Sequence, residues 1–297
     1  MNRKEFGQLI ASLRNDLNWT QSLLAEYAEI DIATLSNIER GAKRHLDPEI
    51  LVNLANALQL TSLERREFFL GASGVPQEKI VRQPGPNTPT QVFNPELVLG
   101  NLLGVMGKIQ LPLTLGDPFG ETIAVNRAML EVIQVDPASL KTLTRVTGGF
   151  SVLHFVYGML QGQQTFGQEF NEAAISAIRS FREGSLRYRS DPRYSELMNE
   201  FRNVQKYPLF DRYWRKASTL DMDKEAMREL LEFQHPFLGK LRFFLCSAVT
   251  LTPYGELYLT HYMPHDRQTN QSLIEIFDKG GSEVVQLLSW PDKKPLP

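Results

Sequence analysis

One stretch, residues 19–41 (WTQSLLAEYAEIDIATLSNIERG), restricts what this 297-residue chain can fold into more than any other. Thr20 carries a hydroxyl that caps a helix by accepting from a first-turn amide. Leu23, Leu24, Tyr27 and Ala28 follow at helical spacing, which predicts a short amphipathic helix over 21–28. The break Glu29-Ile30-Asp31 ends it, and Asp31 caps a second helix over 32–40. Leu35, Ile38 and Ile30 then point inward, leaving Ile32, Ala33, Ser36 and Asn37 on the outer face, while Ala25 is small where two such helices cross. An ordinary helical hairpin has the same caps and spacing. Here, though, Phe6, Leu9, Ile10 and Leu13 stripe a preceding helix, and Ile50, Leu51, Leu54, Ala55 and Leu58 stripe a later one. Together they supply the core that two helices lack. The pattern is a helix-turn-helix whose second helix has the size and polarity of one that enters a DNA major groove.

The block resembles the XRE (phage-repressor) family in Gln21, Leu24-Ala25, the Asp31 cap, Leu35-Ser36, Ile38-Glu39-Arg40-Gly41 and the Pro48…Leu51…Leu54-Ala55…Leu58 tail. The resemblance implies a λ-repressor-like five-helix bundle that binds double-stranded DNA. Base edges would be touched by Ile32, Ala33, Thr34 and Asn37, and phosphates by Gln21, Ser36, Arg40, Lys43 and Arg44. An Asn37 amide reads adenine with both its groups, whereas Ile32 and Ala33 offer only apolar contact to a thymine methyl. Arg14 and Glu39 match a pair that commonly joins two helices. Two positions depart from the pattern. Glu29 stands where the turn usually has glycine, so a left-handed backbone there costs about 1 kcal/mol. Ile32 and Ala33 replace the polar readers common in phage repressors.

Net charge bears on this expectation, because the chain is at −2 and residues 1–75 hold eight Lys/Arg against ten Asp/Glu. A basic domain would fit DNA better. However, Arg40, Lys43, Arg44 and His45 cluster just past the second helix, and a local patch serves where the total does not. Weak non-specific binding then favours a homodimer on two half-sites. The remaining composition, 42% hydrophobic and 22% charged, is that of a soluble globular protein of about two domains. A single cysteine, Cys246, excludes an intramolecular disulfide and fits a reducing cytoplasm. The start Met1-Asn2-Arg3-Lys4 is unlike a signal peptide, and no apolar run nears the roughly 20 residues that span a bilayer. A cytoplasmic protein with no membrane partner is expected.

Beyond the fourth helix, Leu63, Phe69 and Leu70 predict a fifth, ended by Gly71 and Gly74. Residues 76–95 carry five prolines and little apolar periodicity, which marks a semi-rigid linker. The expected division is therefore 1–75 for DNA binding, 76–95 as linker and 96–297 as a second domain. That domain opens with a helix over 95–108. A hairpin over 109–115 and 121–126 turns at Gly116-Asp117-Pro118-Phe119-Gly120. Asn126 and Asp136-Pro137 start short helices, and helical patterns follow over 151–162, 167–187, 192–203 and 209–217. Strands resume at 227–235, 239–251 and 256–262, and a final segment, 272–290, begins as helix. Five strands split two-plus-three around inserted helices give an α+β domain. Its one antiparallel sheet has helices on one face, the layout of the PAS fold.

The chain as a whole resembles the MmyB-like regulators, which join an XRE-type helix-turn-helix to a PAS-like ligand-binding domain. The residues that carry this are Leu60…Glu64-Arg65…Phe69-Leu70, Ile123-Ala124-Val125-Asn126, Arg182 with Asp191-Pro192, Phe210…Trp214, and His235-Pro236…Gly239-Lys240-Leu241. The arginine-rich insertion frequent in actinobacterial members is missing. The resemblance implies a sequence-specific transcription regulator that senses a small molecule.

Catalytic chemistry has little to stand on. The sequence lacks a Gly-x-Gly-x-x-Gly, a phosphate loop and a Gly-x-Ser-x-Gly elbow. His261 and His265 have Pro264 between them and no partner set, so neither a metal site nor a cofactor is expected. Cys246 reads as a small hydrophobe and His235 as a strand-end histidine bonded to backbone. No enzyme is expected. Phe and Leu abound in the middle helices, however, and a sheet under a helical insert commonly encloses an apolar cavity with few polar anchors. The expected ligand is fatty-acid-like. Phe155, Met159, Phe170, Ile178, Phe243 and Leu245 would line it, and Arg182, Arg212 or Trp214 would sit near its polar end, since a buried carboxylate needs a multi-donor partner. The alternative is a second domain that only dimerises or binds a protein partner, and a dry, fully packed core would select it.

Overall fold

The computed structural model describes residues 1–74, 93–219, 230–280 and 283–296. Most of the expected linker, together with residues 227–229 of an expected strand, lies outside these. Two compact units divide the chain: Met1–Gln91 with Arg182–Ala226, and Val92–Phe181 with Met227–Pro297.

In the first unit, α1 (Arg3–Asp16), α2 (Gln21–Tyr27), α3 (Ile32–Glu39), α4 (Pro48–Ala57) and α5 (Ser62–Ser73) follow the sequence pattern. Each begins at a side chain that answers a free first-turn amide: Asn2, Thr20, Asp31, Asp47 and Thr61. Phe6, Ile10, Leu24, Leu35, Ile38 and Leu54 are buried in one core. Glu29, at the turn position where glycine is usual, has φ 55° and so takes the left-handed backbone at a side-chain-bearing residue. The fifth helix differs from expectation. It buries Phe68 and leaves Phe69 and Leu70 at 37% and 39% exposure, because the face Glu64, Phe68, Ala72 turns inward.

Two carboxylates on that helix are buried, and their partners come from far along the chain. Arg182 Nη2 donates to Glu64 Oε1 at 3.2 Å, and Arg187 Nε donates to Glu67. Burial pushes the Glu67 carboxyl up, but the bond and charge of Arg187 outweigh it and hold the group below its ordinary range. Arg189 Nη1 reaches Asp16 Oδ2 at 2.6 Å and Ser12 Oγ at 3.2 Å, and Leu186 joins the core. A segment that the sequence places in the second domain thus packs with the first. It carries α12 (Pro192–Phe201) and α13 (Phe210–Thr219), which share a Phe201–Phe210–Trp214 aromatic run.

The second unit opens with α6 (Pro95–Met106), then β1 (Leu113–Gly116) and β2 (Thr122–Asn126). The helices α7 (Arg127–Ile133), α8 (Pro137–Thr147), α9 (Val152–Gly158), α10 (Leu160–Phe166) and α11 (Phe170–Gly184) follow, and α11 runs to the edge of the first unit between Phe181 and Arg182. Then come β3 (Leu230–His235), β4 (Gly239–Thr252), β5 (Gly255–Pro264), α14 (Arg267–Gly280) and β6 (Val284–Gln286). The sheet is antiparallel and six-stranded in the order β3-β4-β5-β1-β2-β6, one strand more than expected. The extra strand, β6, pairs Val285 with Val125, and three residues are too few to show a period of two. The last helix starts at Arg267 rather than 272, since Asp266 caps it through Thr269 N.

Alternation puts the two sheet faces to different uses. Leu113, Leu115, Leu257 and Leu259 pack with Leu99 and Met106 of α6. On the opposite face Phe233, Phe243 and Tyr262 pack on one another, and Phe233 meets Phe166 from the inserted helices. Helices therefore cover both faces, not one. The C-terminal segment returns to the β1–β2 turn, where Lys293 Nζ pairs with buried Asp117. Asp117 Oδ1 also accepts from Phe119 N and Glu121 N at 2.9 Å.

Burial pushes the Asp117 carboxyl up to about 6, against the pull of Lys293. Between its unfolded pKa of 3.8 and about 6 the folded form holds the proton more tightly, so this group's contribution is complete below 3.8 and is lost as pH rises through 6. Asp117→Asn keeps the turn acceptor and removes the titration. Urea denaturation at stepped pH should show the difference between wild type and variant changing between pH 4 and 7 in that direction. A pH-independent difference would refute it.

Candidate nucleic-acid interface

The recognition surface is built from α3. Leu35 and Ile38 are 0% and 2% exposed, whereas Ile32 is 49% exposed beside exposed Ala33 and Asn37. Thr34 is half-buried and donates both its amide and its hydroxyl to Asp31, so it serves the cap as well as the surface. Those bonds, the Thr34 hydroxyl first, hold the Asp31 carboxyl below its ordinary range. Ser36 is half-buried, and Arg40 and Arg44 are exposed with Lys43 between them in sequence, half-buried. All five expected phosphate-contacting residues except Gln21 therefore lie on or just past α3.

Gln21 is used differently. Its Nε2 donates to Glu39 Oε2 at 2.7 Å, while Arg14 approaches the same carboxylate side-on with Nε to Oε1 at 2.7 Å and Nη2 to Oε2 at 3.2 Å. Arg14 Nη1 also donates to Trp19 O at 2.6 Å. Glu39 is 6% exposed, so one buried carboxylate binds α1, the start of α2 and the end of α3 together. The Arg14–Glu39 pair was legible from resemblance; the turning of the Gln21 side chain away from the outer face was not. Tyr27 also turns out, 61% exposed and stacked on Trp19 at 4.9 Å.

The expected ligand residues fall in both compact units. Phe155, Ile178 and Phe243 are buried in the second, with Met159, Phe170 and Leu245 half-buried. Phe155 meets Phe166 edge-on at 6.1 Å, and Phe166 meets Phe233 at 5.2 Å, so aromatic rings fill much of the space between α10 and the sheet. Arg182, Arg212 and Trp214 belong to the first unit. Arg182 faces Glu64 and lies 5.8 Å from the Trp214 ring, and Arg212 is exposed. The guanidinium expected at a ligand's polar end is thus already answered by a protein carboxylate. An open groove of about 600 Å³ lies elsewhere, along Pro137, Lys141, Val284, Gln286 and Leu296.

Among the described residues no three His, Cys, Asp or Glu side chains converge as metal ligands, and no helix is long and apolar enough to cross a membrane. His235 Nδ1 accepts from Phe237 N and Leu238 N, and burial lowers its pKa despite the Glu131 backbone and charge. Cys246 is exposed in β4, with its carbonyl 3.3 Å from His261 Nδ1.

Residues 10–65 match the helix-turn-helix family, and residues 101–274 match the family described as MmyB-like transcription regulator ligand binding domain. A comparison with curated proteins gives no match.

Removing the Glu39 charge leaves half-buried Arg14 without its counter-ion. Glu39→Gln should therefore lower the unfolding free energy of the helix-turn-helix region by about 3 kcal/mol, read by urea denaturation with circular dichroism. A change below about 0.5 kcal/mol would show that the carboxylate does not hold these helices.

Proposed function

The chain belongs to the MmyB-like transcription regulators and is a DNA-binding regulator with a ligand-binding domain; from that premise we propose that it acts as a homodimer on two half-sites and responds to an elongated apolar molecule. The observation that carries the DNA part is the division of α3 into buried Leu35 and Ile38 and an outer face of Ile32, Ala33 and Asn37. Ile32 and Ala33 meet thymine methyls, and Lys43 and Arg44 meet phosphates. With few cations per copy, two half-sites one DNA turn apart supply the affinity that one lacks.

Such a role has a simple salt signature, since each phosphate contact adds about 0.9 to the slope of log affinity against log salt. In a mobility-shift titration, Lys43→Ala with Arg44→Ala should weaken binding to every sequence alike and flatten that slope by about 2 per copy. Unchanged affinity and slope would remove these two residues from the interface.

For the ligand, the support is the apolar character of Phe155, Met159, Phe170, Ile178, Phe243 and Leu245 in one unit. A fatty-acid-like chain suits that lining by burial alone, at about 25 cal/mol per Å² of apolar surface removed from water. Binding to the folded state raises its stability by mass action, so a delipidated sample should melt higher with a C12–C18 fatty acid present. No rise across the panel, with nothing of that class co-purifying by mass spectrometry, would select the second reading. In it the domain only dimerises or binds a protein, and the ring contacts from Phe155 through Phe166 to Phe233 favour it.

A further inference from the structure

Arg40 is the C-cap residue of α3, exposed, and no carboxylate pairs with it among the described residues. Its guanidinium is nevertheless held in place. Nε donates to Ser36 O at 3.2 Å, and Nη2 donates to Asn37 Oδ1 at 2.8 Å. Nε and the near hydrogen of Nη2 form the side-on edge of the guanidinium, so that edge is spent on the helix. The end-on edge, Nη1 with the second hydrogen of Nη2, stays available beside the outer face of α3.

We infer that Arg40, pinned by Asn37 and Ser36, reads a guanine in the major groove, with Asn37 as its positioning residue. This rests on the DNA-binding reading above and changes how that surface distinguishes bases. Adenine offers one acceptor and one donor, so an asparagine that reads it needs its Oδ1 to accept from the base. Here one of the two lone pairs of Oδ1 is taken by Arg40, which fixes the direction of the amide and leaves a single acceptor site for a base. Guanine offers two acceptors, N7 and O6, and an arginine's paired donors match them. A phosphate also accepts a guanidinium fork, so what separates the two partners is the dependence of binding on base sequence. Contrast Arg14, whose side-on edge is closed on Glu39 inside the bundle.

The test uses the full chain and a pool of randomised duplexes, followed by titration of single base-pair variants. Wild-type protein should select a guanine at one position of each half-site, and replacing it should weaken binding roughly 5- to 150-fold. Arg40→Ala should lose that preference while the other selected positions stay. Arg40→Lys keeps the charge without the fork, so it should weaken the preference and keep the salt dependence. Asn37→Ala should reduce the guanine preference although Arg40 remains. The inference is overturned if Arg40→Ala weakens all sequences equally, with a salt slope lower by about one, as a phosphate contact would. It is equally overturned if an adenine is selected whose preference depends on Asn37 and survives Arg40→Ala. The DNA-binding reading survives both of those outcomes. If the wild type bound no duplex at low salt, that reading would fall and this one with it.

Discussion

The outer face of α3, the proposed DNA surface, depends on how closely α1 and α3 approach. A Cβ on Gly7 would lie 2.3 Å from Glu39 O and 2.5 Å from Ile38 O, so only glycine lets these two backbones touch. At the far end of α3, Gly41 has φ 70°, and a Cβ there would lie 2.7 Å from Lys4 Cα. Between these two contacts the Glu39 carboxylate takes Arg14 and Gln21. All the restraints on α3 therefore act from its inner side and its C-terminal end. Its outer face has no structural task beyond the Asp31 cap and the bonds of Arg40, which is the condition for varying Ile32, Ala33 and Asn37 without unfolding the bundle.

A second set of restraints is electrostatic and reaches across the chain. Asp16, Glu64 and Glu67 are buried on α1 and α5, and their counter-ions Arg189, Arg182 and Arg187 come from a segment more than a hundred residues later. Ion pairs of this kind add little over apolar packing, but removing one partner costs about 3 kcal/mol or more. They therefore specify which segment docks more than how tightly it docks. Arg189 shows what they cost, because its Nε and Nη2 are buried without a hydrogen-bond partner. Its Nη1 carries the bonds instead, to Asp16, Ser12 and Tyr194. The helix α11 gives Ile178 to the second unit and Arg182, one turn later, to the first.

How much of this was legible in the sequence follows from the range of each interaction. The first five helices are written locally in their spacing, and the caps at Thr20 and Asp31 with them, whereas the left-handed turn at Glu29 was marked only as a departure from glycine. The Arg14–Glu39 pair was reachable through resemblance. The orientation of α5 was not: Phe68 packs on Phe6 where Phe69 and Leu70 were expected inside, and Glu64 and Glu67 meet arginines that no local pattern connects to them. Nor was β6, where Val284-Val285-Gln286 is recognised only by its pairing with β2. The ligand lining stayed unresolved for another reason: an apolar side chain has the same composition signal whether it borders a cavity or fills one.

The acidic balance of residues 1–75, which argued against a DNA-binding surface, has a structural answer. Four of its ten carboxylates, Asp16, Glu39, Glu64 and Glu67, are buried and closed on arginines. Three of those four draw their counter-ion from 187 and its neighbours Arg182 and Arg189, in a segment that the local tally leaves out. Taken over residues 1–74 and 182–219, the first unit carries seventeen Lys/Arg against fifteen Asp/Glu. The sign of its charge therefore depends on including the docked segment. Near α3 the distribution matters more than the total, because a potential is set by the charges closest to the phosphate. There Arg40, Lys43 and Arg44 form no ion pair among the described residues, while the nearest buried carboxylate, Glu39, is already neutralised by Arg14. A protein with net charge −2 thus keeps Arg40, Lys43 and Arg44 clear of ion pairs among the described residues while its other arginines close on Asp16, Glu39, Glu64 and Glu67.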